Sequence, residues 1–201
     1  ASVRATAVQL RDQALAASGL LSEKMYGKAV MPYQPEGVWN SVYSGEKWIL
    51  SEGEDQHRRS VYTFIKRTSP YPSMIMFDGS SREVCVGQRV RTNTPLQALV
   101  TLNDPVFVEA AQALAKRMVN SDSSAVEESI TKGYRLLTFK EMPGEKLDVL
   151  QGLYDEAVGV YSADSGAAHA ITRNKNGSAK LAAMTIVANA LLNLDEVLMK
   201  E

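Results

Sequence analysis

The chain has 201 residues, 45% of them apolar and 22% charged, and its 22 Lys+Arg against 23 Asp+Glu leave a formal net charge of −1. This is a globular composition, which excludes a disordered tail, a collagen-like fibre and a disulfide-stapled miniprotein. The missing positive excess also speaks against a nucleic-acid partner.

Cys85 is the single cysteine, so an intramolecular disulfide, a CxxCH haem attachment and a cysteine-based zinc site are all excluded. The longest apolar stretch, Leu181–Leu194, is interrupted by Asn189 and Asn193 and falls short of the roughly 20 residues a membrane span needs. The first residue is Ala1 rather than Met, which reads as a fragment or a processed form.

Val3, Ala7, Leu10, Ala14 and Ala17 recur at helical spacing and Gly19 supplies a stop, predicting a first helix with Arg4, Arg11, Asp12 and Gln13 off its apolar stripe. From Leu21 to Gly53 glycines and prolines break every period, with Tyr26, Tyr33, Trp39, Tyr43 and Trp48 between them. This is a long loop pinned by aromatics, or a functional one. Residues His57–Thr68 read equally as strand or helix and end at Pro70 and Pro72. Ser80–Val86 has room for a helical turn, and Cys85 in its apolar Val84–Val86 setting reads as a buried small side chain.

The second half is more regular. Thr94-Pro95 and Asp104-Pro105 are helix starts. The first opens a short helix on Leu96, Leu99 and Val100; the second opens one on Val106, Phe107, Ala110, Ala111, Leu114 and Met118. Ser124–Glu127 is a capping box before Ile130, Tyr134 and Leu137. Pro143 starts a helix through Leu147, Leu150, Tyr154 and Val158. Ser162–Gly177 reads as a mobile loop, and Ser178 caps a last helix through Leu192. The expected fold is mainly α: a compact helical domain with a long aromatic and Pro-rich loop region and at most a minor β element. A single domain over 1–201 is expected, with a loop-rich, Arg-rich part (1–93) and a helical part (94–201).

Charge is unevenly spread. Between His57 and Arg91 there are seven basic residues (Arg58, Arg59, Lys66, Arg67, Arg82, Arg89 and Arg91) against Asp78 and Glu83, so this segment is +5 and the remainder −6. Arginine forks suit carboxylate, phosphate or sulfate, and interleaved aromatics suit stacking on a ligand ring. Arg58, Arg59, Lys66, Arg67, Arg89, Arg91, Tyr62 and Trp39 are therefore the candidate anion site. The competing reading is a structural clamp in which these arginines pair with carboxylates of the acidic remainder. Metal, nucleotide and hydrolase motifs are absent. No cofactor or metal is expected in this chain, and whether it is part of an enzyme is left open, with Glu36, His57, Asp78 and Cys85 as the acid/base or nucleophile candidates.

Four phrases together are distinctive: RDQALAASGLLSEKMYGKAVMPYQPEGVW (Arg11–Trp39), HRRSVYTFIKRTSPYPSMIMFDGSSREVC (His57–Cys85), RVRTNTPLQALVTLNDPVFVEAAQALAKRM (Arg89–Met118) and LLNLDE (Leu191–Glu196). On these the chain resembles the bacterial domain-of-unknown-function family fifteen-fifty-three, a C-terminal domain of large secreted proteins that also carry a planctomycete-type cytochrome c domain. The resemblance implies an extracytoplasmic location, periplasmic or at the cell surface, with a c-type haem elsewhere in the polypeptide. It carries over no catalytic residue. Three functions follow as expectations. The first is a non-catalytic interaction module for other domains of the same polypeptide. The second is a binding domain for anionic polysaccharide in cell-surface glycan use, and the third is part of an enzyme active site.

Overall fold

A computed structural model describes residues 3–39, 47–87, 92–119, 125–175 and 177–200. It is mainly α. Helix α1 spans Ala7–Ser18. It starts later than its apolar stripe because Thr6 and Gln9 form a capping box, with the Gln9 side chain accepting from the Thr6 N–H at 2.9 Å. Gly19 ends it in the left-handed region (φ 78°), a conformation glycine adopts without steric cost. The residues ahead of it, Val3–Arg4 (β1), pair antiparallel with Met199–Lys200 (β2), joining the two ends of the described chain. This ribbon is the minor β element.

The helical part follows its periodicity. The helices are α3 (Pro95–Asn103), α4 (Pro105–Val119), α5 (Val126–Thr138), α6 (Gly144–Ala163), α7 (Ser165–Thr172), α8 (Ala179–Leu192) and α9 (Asp195–Leu198), with α2 (Pro72–Met76) ahead of them. Helix α8 is central and packs on α4 and α6. Its Ala182, Ala183, Val187, Ala188 and Leu191 are fully buried, as are Ala111, Leu114, Ala115 and Met118 of α4. The many alanines let helix axes approach closely. At Gly133 of α5 an added Cβ would lie 2.7 Å from the Met118 sulfur, so a larger residue there would make the Met118 and Leu191 side chains shift.

Several expectations are corrected. The expected loop Ser162–Gly177 is helical over most of its first part, up to Thr172. Helix α6 runs on to Ala163, and Asp164 then caps α7, its side chain accepting from the Ala167 N–H at 2.9 Å. The small residues there are helix formers behind a good cap. Pro72 opens a helix instead of ending one, the N1 role that a missing N–H permits. Ser80–Val86 is bent rather than helical, and Cys85 is exposed. His57–Thr68 is neither strand nor helix: it makes 3-10 turns at Gly53–His57 and Ser60–Tyr62, with isolated bridges Ser22–Arg58 and Val30–Thr63. Arg4 and Arg11 are buried rather than off the packed face. Tyr43, Ser124, Arg89 and Arg91 lie outside the described residues.

Candidate functional site

Among the described residues, the candidate basic side chains fall in separate places: Arg58 with Tyr62, Arg59 alone, and Lys66 with Trp39. Arg58 is only 2% exposed. Its fork donates to the backbone carbonyls of Lys24, Tyr26 and Lys28 while the guanidinium lies 3.9 Å from the Tyr62 ring centroid. The Tyr62 hydroxyl in turn accepts from the Tyr26 N–H at 2.9 Å. Arg58 and Tyr62 therefore hold the 24–28 loop. The acceptors are carbonyls, not the carboxylates expected of a clamp.

A second arginine stands behind the first. Arg11 on α1 donates to the carbonyls of Arg58 (2.8 Å) and Gln56 (2.7 Å), and its burial holds its pKa below the usual arginine value. Asp12, next along the helix, accepts from the Ser60 N–H at 2.7 Å. The helix thus grips the 56–60 turn, and that turn, through Arg58, grips the loop before it. Arg11 was missed because a charged residue beside an apolar stripe reads as solvated; only the carbonyl-rich segment folded over it makes burial favourable.

Arg59 points elsewhere. Its side chain is 53% exposed, 3.7 Å from Asp12, and it lines an open cleft of about 1120 Å³ together with Asn93, Arg117, Phe139, Lys140 and Asp195. Arg117 donates to the terminal carbonyls of α1, a C-terminal cap by a cation. On the cleft wall Glu196 accepts from the Tyr134 hydroxyl at 3.0 Å and from Lys146. Partial burial pushes the Glu196 carboxyl up, but these donors and its own backbone hold it below the usual range. The same contact raises Lys146. Arg67 is exposed.

Lys66 and Trp39 belong to an aromatic cluster. The Lys66 ammonium is 4.9 Å from the Trp39 ring centroid. Trp39 meets Trp48 edge-on at 5.4 Å, and Trp48 stacks on Tyr71 at 5.9 Å. The Trp48 indole N–H donates to the Pro32 carbonyl at 2.9 Å, and the Tyr71 hydroxyl to the Tyr33 carbonyl at 2.6 Å. These bonds shape the PYQPEGVW segment around a pocket of about 520 Å³.

The acid/base candidates also sit apart. His57 faces Glu109 of α4 at 3.2 Å. Asp78 accepts from the Thr92 N–H at 2.7 Å and from Gln97. Glu36 and Cys85 are exposed. Among the described residues no group of three or more His, Cys, Asp or Glu is placed to hold a metal ion, and no helix is long and apolar enough to cross a membrane.

The TNTPLQALVTLND segment has the least expected geometry. Helix α3 buries its polar residues, Gln97 and Thr101 at 1% exposure each, and exposes Leu96 (57%), Leu99 (54%) and Leu102 (42%). The inversion has a cause on each side. Gln97 donates to the Met76 carbonyl at the end of α2 and to Thr92. On the other side Thr101 donates to Asn193, and Asn189 donates to the Leu102 carbonyl at 3.0 Å. The asparagines that interrupt the apolar run of α8 are therefore the seat of α3. The partners facing α3 are polar, so its leucines turn outward.

The model of one family, PSD1, protein of unknown function (DUF1553), matches residues 1–154. No curated protein and no solved structure matches.

Proposed function

Since the chain belongs to the PSD1 family of unknown function, DUF1553, we propose that it is a non-catalytic interaction module that docks through α3 onto another domain of its own polypeptide. The observation that carries this reading is the outward row of Leu96, Leu99 and Leu102 on a helix that buries Gln97 and Thr101. Water-facing leucines at i, i+3 and i+6 form one apolar strip, while Gln97 and Thr101 fix the helix so that it cannot roll them inward. Exposed apolar strips of this kind mark contact surfaces.

The occupant is argued from size. Three half-exposed leucines offer far less than the roughly 1,000 Å² at which an untethered interface becomes stable. A tethered partner needs much less, because the linker supplies millimolar effective concentration. The resemblance to large exported multidomain proteins supports such a partner, an extracytoplasmic location and a c-type haem elsewhere on the polypeptide. The test compares the full polypeptide with its Leu96→Glu/Leu99→Glu variant by small-angle scattering. A larger radius of gyration in the variant supports docking; an unchanged radius refutes it.

A second reading, an anionic-glycan site, is favoured by Arg59, whose exposed guanidinium opens onto the large cleft. Binding to sulfated or uronic-acid sugars that weakens with salt and with Arg59→Ala supports it; binding that ignores both removes it.

A further inference from the structure

The pocket of about 520 Å³ formed by the PYQPEGVW segment has a feature that packing does not explain. Its lining includes Tyr33, Gln34, Trp39 and Trp48 and the charged residues Glu36 and Lys47. Gln34 and Trp39 are 9% and 8% exposed. The Gln34 Oε1 and the Trp39 indole N–H are each shut off from bulk water and have no hydrogen-bond partner. Buried polar atoms are almost always paired, and leaving one unpaired costs about 1–3 kcal/mol. One unpaired acceptor and one unpaired donor, on two residues that line the same pocket, suit a ligand with hydroxyl groups.

We propose that this pocket binds a hydroxylated ring with an apolar face, the chemistry a sugar presents. A hydroxyl group both donates and accepts, so neighbouring hydroxyls on one ring satisfy Gln34 Oε1 and the Trp39 N–H together. The ring's C–H face lies on the aromatic wall. A single trapped water would satisfy the polar atoms but leaves the space unexplained, since water takes roughly 30 Å³ and the pocket falls in the roughly 300–1,000 Å³ range of small-molecule sites. Trp48 holds its place through the Pro32 carbonyl and its stack on Tyr71, so its part of the aromatic wall is preformed. Entry of the ligand includes a turn of the Gln34 amide and the Trp39 edge toward the opening. The site shares no residue with the α3 strip and does not depend on the docking proposal.

The chain's two tryptophans both line this pocket, so intrinsic fluorescence reports on it without a label. The experiment titrates the chain with a panel of neutral mono- and disaccharides and with their uronic-acid counterparts. A saturable fluorescence change is expected, with affinity falling roughly tenfold in Gln34→Leu, one hydrogen bond's share. Lys47→Ala separates the two sugar classes: weakening confined to the uronic acids places their carboxylate at Lys47. Should Gln34→Leu misfold, the wild-type indole N–H resonances decide. The Trp39 signal moves with ligand by more than that of Trp48, whose N–H is already bonded to Pro32. No saturable response to any sugar at millimolar concentration, or a response indifferent to Gln34→Leu in a folded variant, overturns the proposal.

Discussion

The loop-rich part and the helical part of this molecule are held together by opposite means. Around α8 the contacts are apolar: alanines, leucines and Met118 at or near zero exposure. Between Gly19 and Phe77 the main ties are side chains reaching backbone: Arg11 to Gln56 and Arg58, Arg58 to three carbonyls, Trp48 to Pro32, and Tyr71 to Tyr33. Apart from a few backbone bridges, such as Ser22 to His57 and Val30 to Tyr62, this segment has little helix or sheet to pair its backbone groups, so buried side chains pair others. Arginine does this well because one fork serves several acceptors.

The sharpest way to test that contrast is to remove one member of each kind. Leu114→Ala deletes fully buried volume and is expected to cost about 3 kcal/mol, read as a lower urea midpoint with all probes shifting together. Arg58→Ala strands three carbonyls and unstacks Tyr62, at about 2 kcal/mol. Its effect is local. In hydrogen exchange the Ser22, Val30 and Phe64 amides, which bond across the loops, lose protection while those of α8 keep theirs. Equal loss in α8 breaks the comparison, because the two regions would then open as one unit.

Smaller effects come from the polar fastening of α9. Glu196 has a folded pKa below its unfolded one, so its contribution is present above the unfolded value and is lost as pH falls through the folded one. Lys146 is raised, so its share is present below the unfolded value and lost as pH rises past the folded one. Stability is expected to be flat across neutrality and to fall at both extremes. Each step is at most about 1 kcal/mol, because the Lys146 side chain is 42% exposed. Urea midpoints across the acid range show the acid-side step in the wild type and its loss in Glu196→Gln. Smallest of all, Leu96→Glu/Leu99→Glu is expected to change stability by under about 0.5 kcal/mol, since both side chains already face water.

The same contrast explains what could be read from the chain. Apolar periodicity is a local signal, so α1, α4, α5, α6 and α8 were legible, as were the starts of α4 at Asp104-Pro105 and of α8 at Ser178. Ser162–Gly177 was misread because its cap, Asp164, and its alanines carry no apolar stripe. The role of Arg58 was half legible: its clustering with aromatics was visible, but its acceptors are carbonyls from positions 24–28, and carbonyls have no letter in a sequence. The outward face of α3 was not legible because Met76 and Asn193, which bond Gln97 and Thr101, and Asn189, which bonds the Leu102 carbonyl, are distant in the chain. Gln34 gave no signal, since nothing local shows that its amide is left unpaired.

The most direct test of docking through α3 is hydroxyl-radical footprinting of the isolated chain and of the full polypeptide. Phe139, 88% exposed at the end of α5, serves as the internal reference. The account predicts that Leu96, Leu99 and Leu102 are oxidised in the isolated chain and protected in the full polypeptide, while Phe139 reacts equally in both. Equal oxidation of the three leucines in both contexts would contradict it.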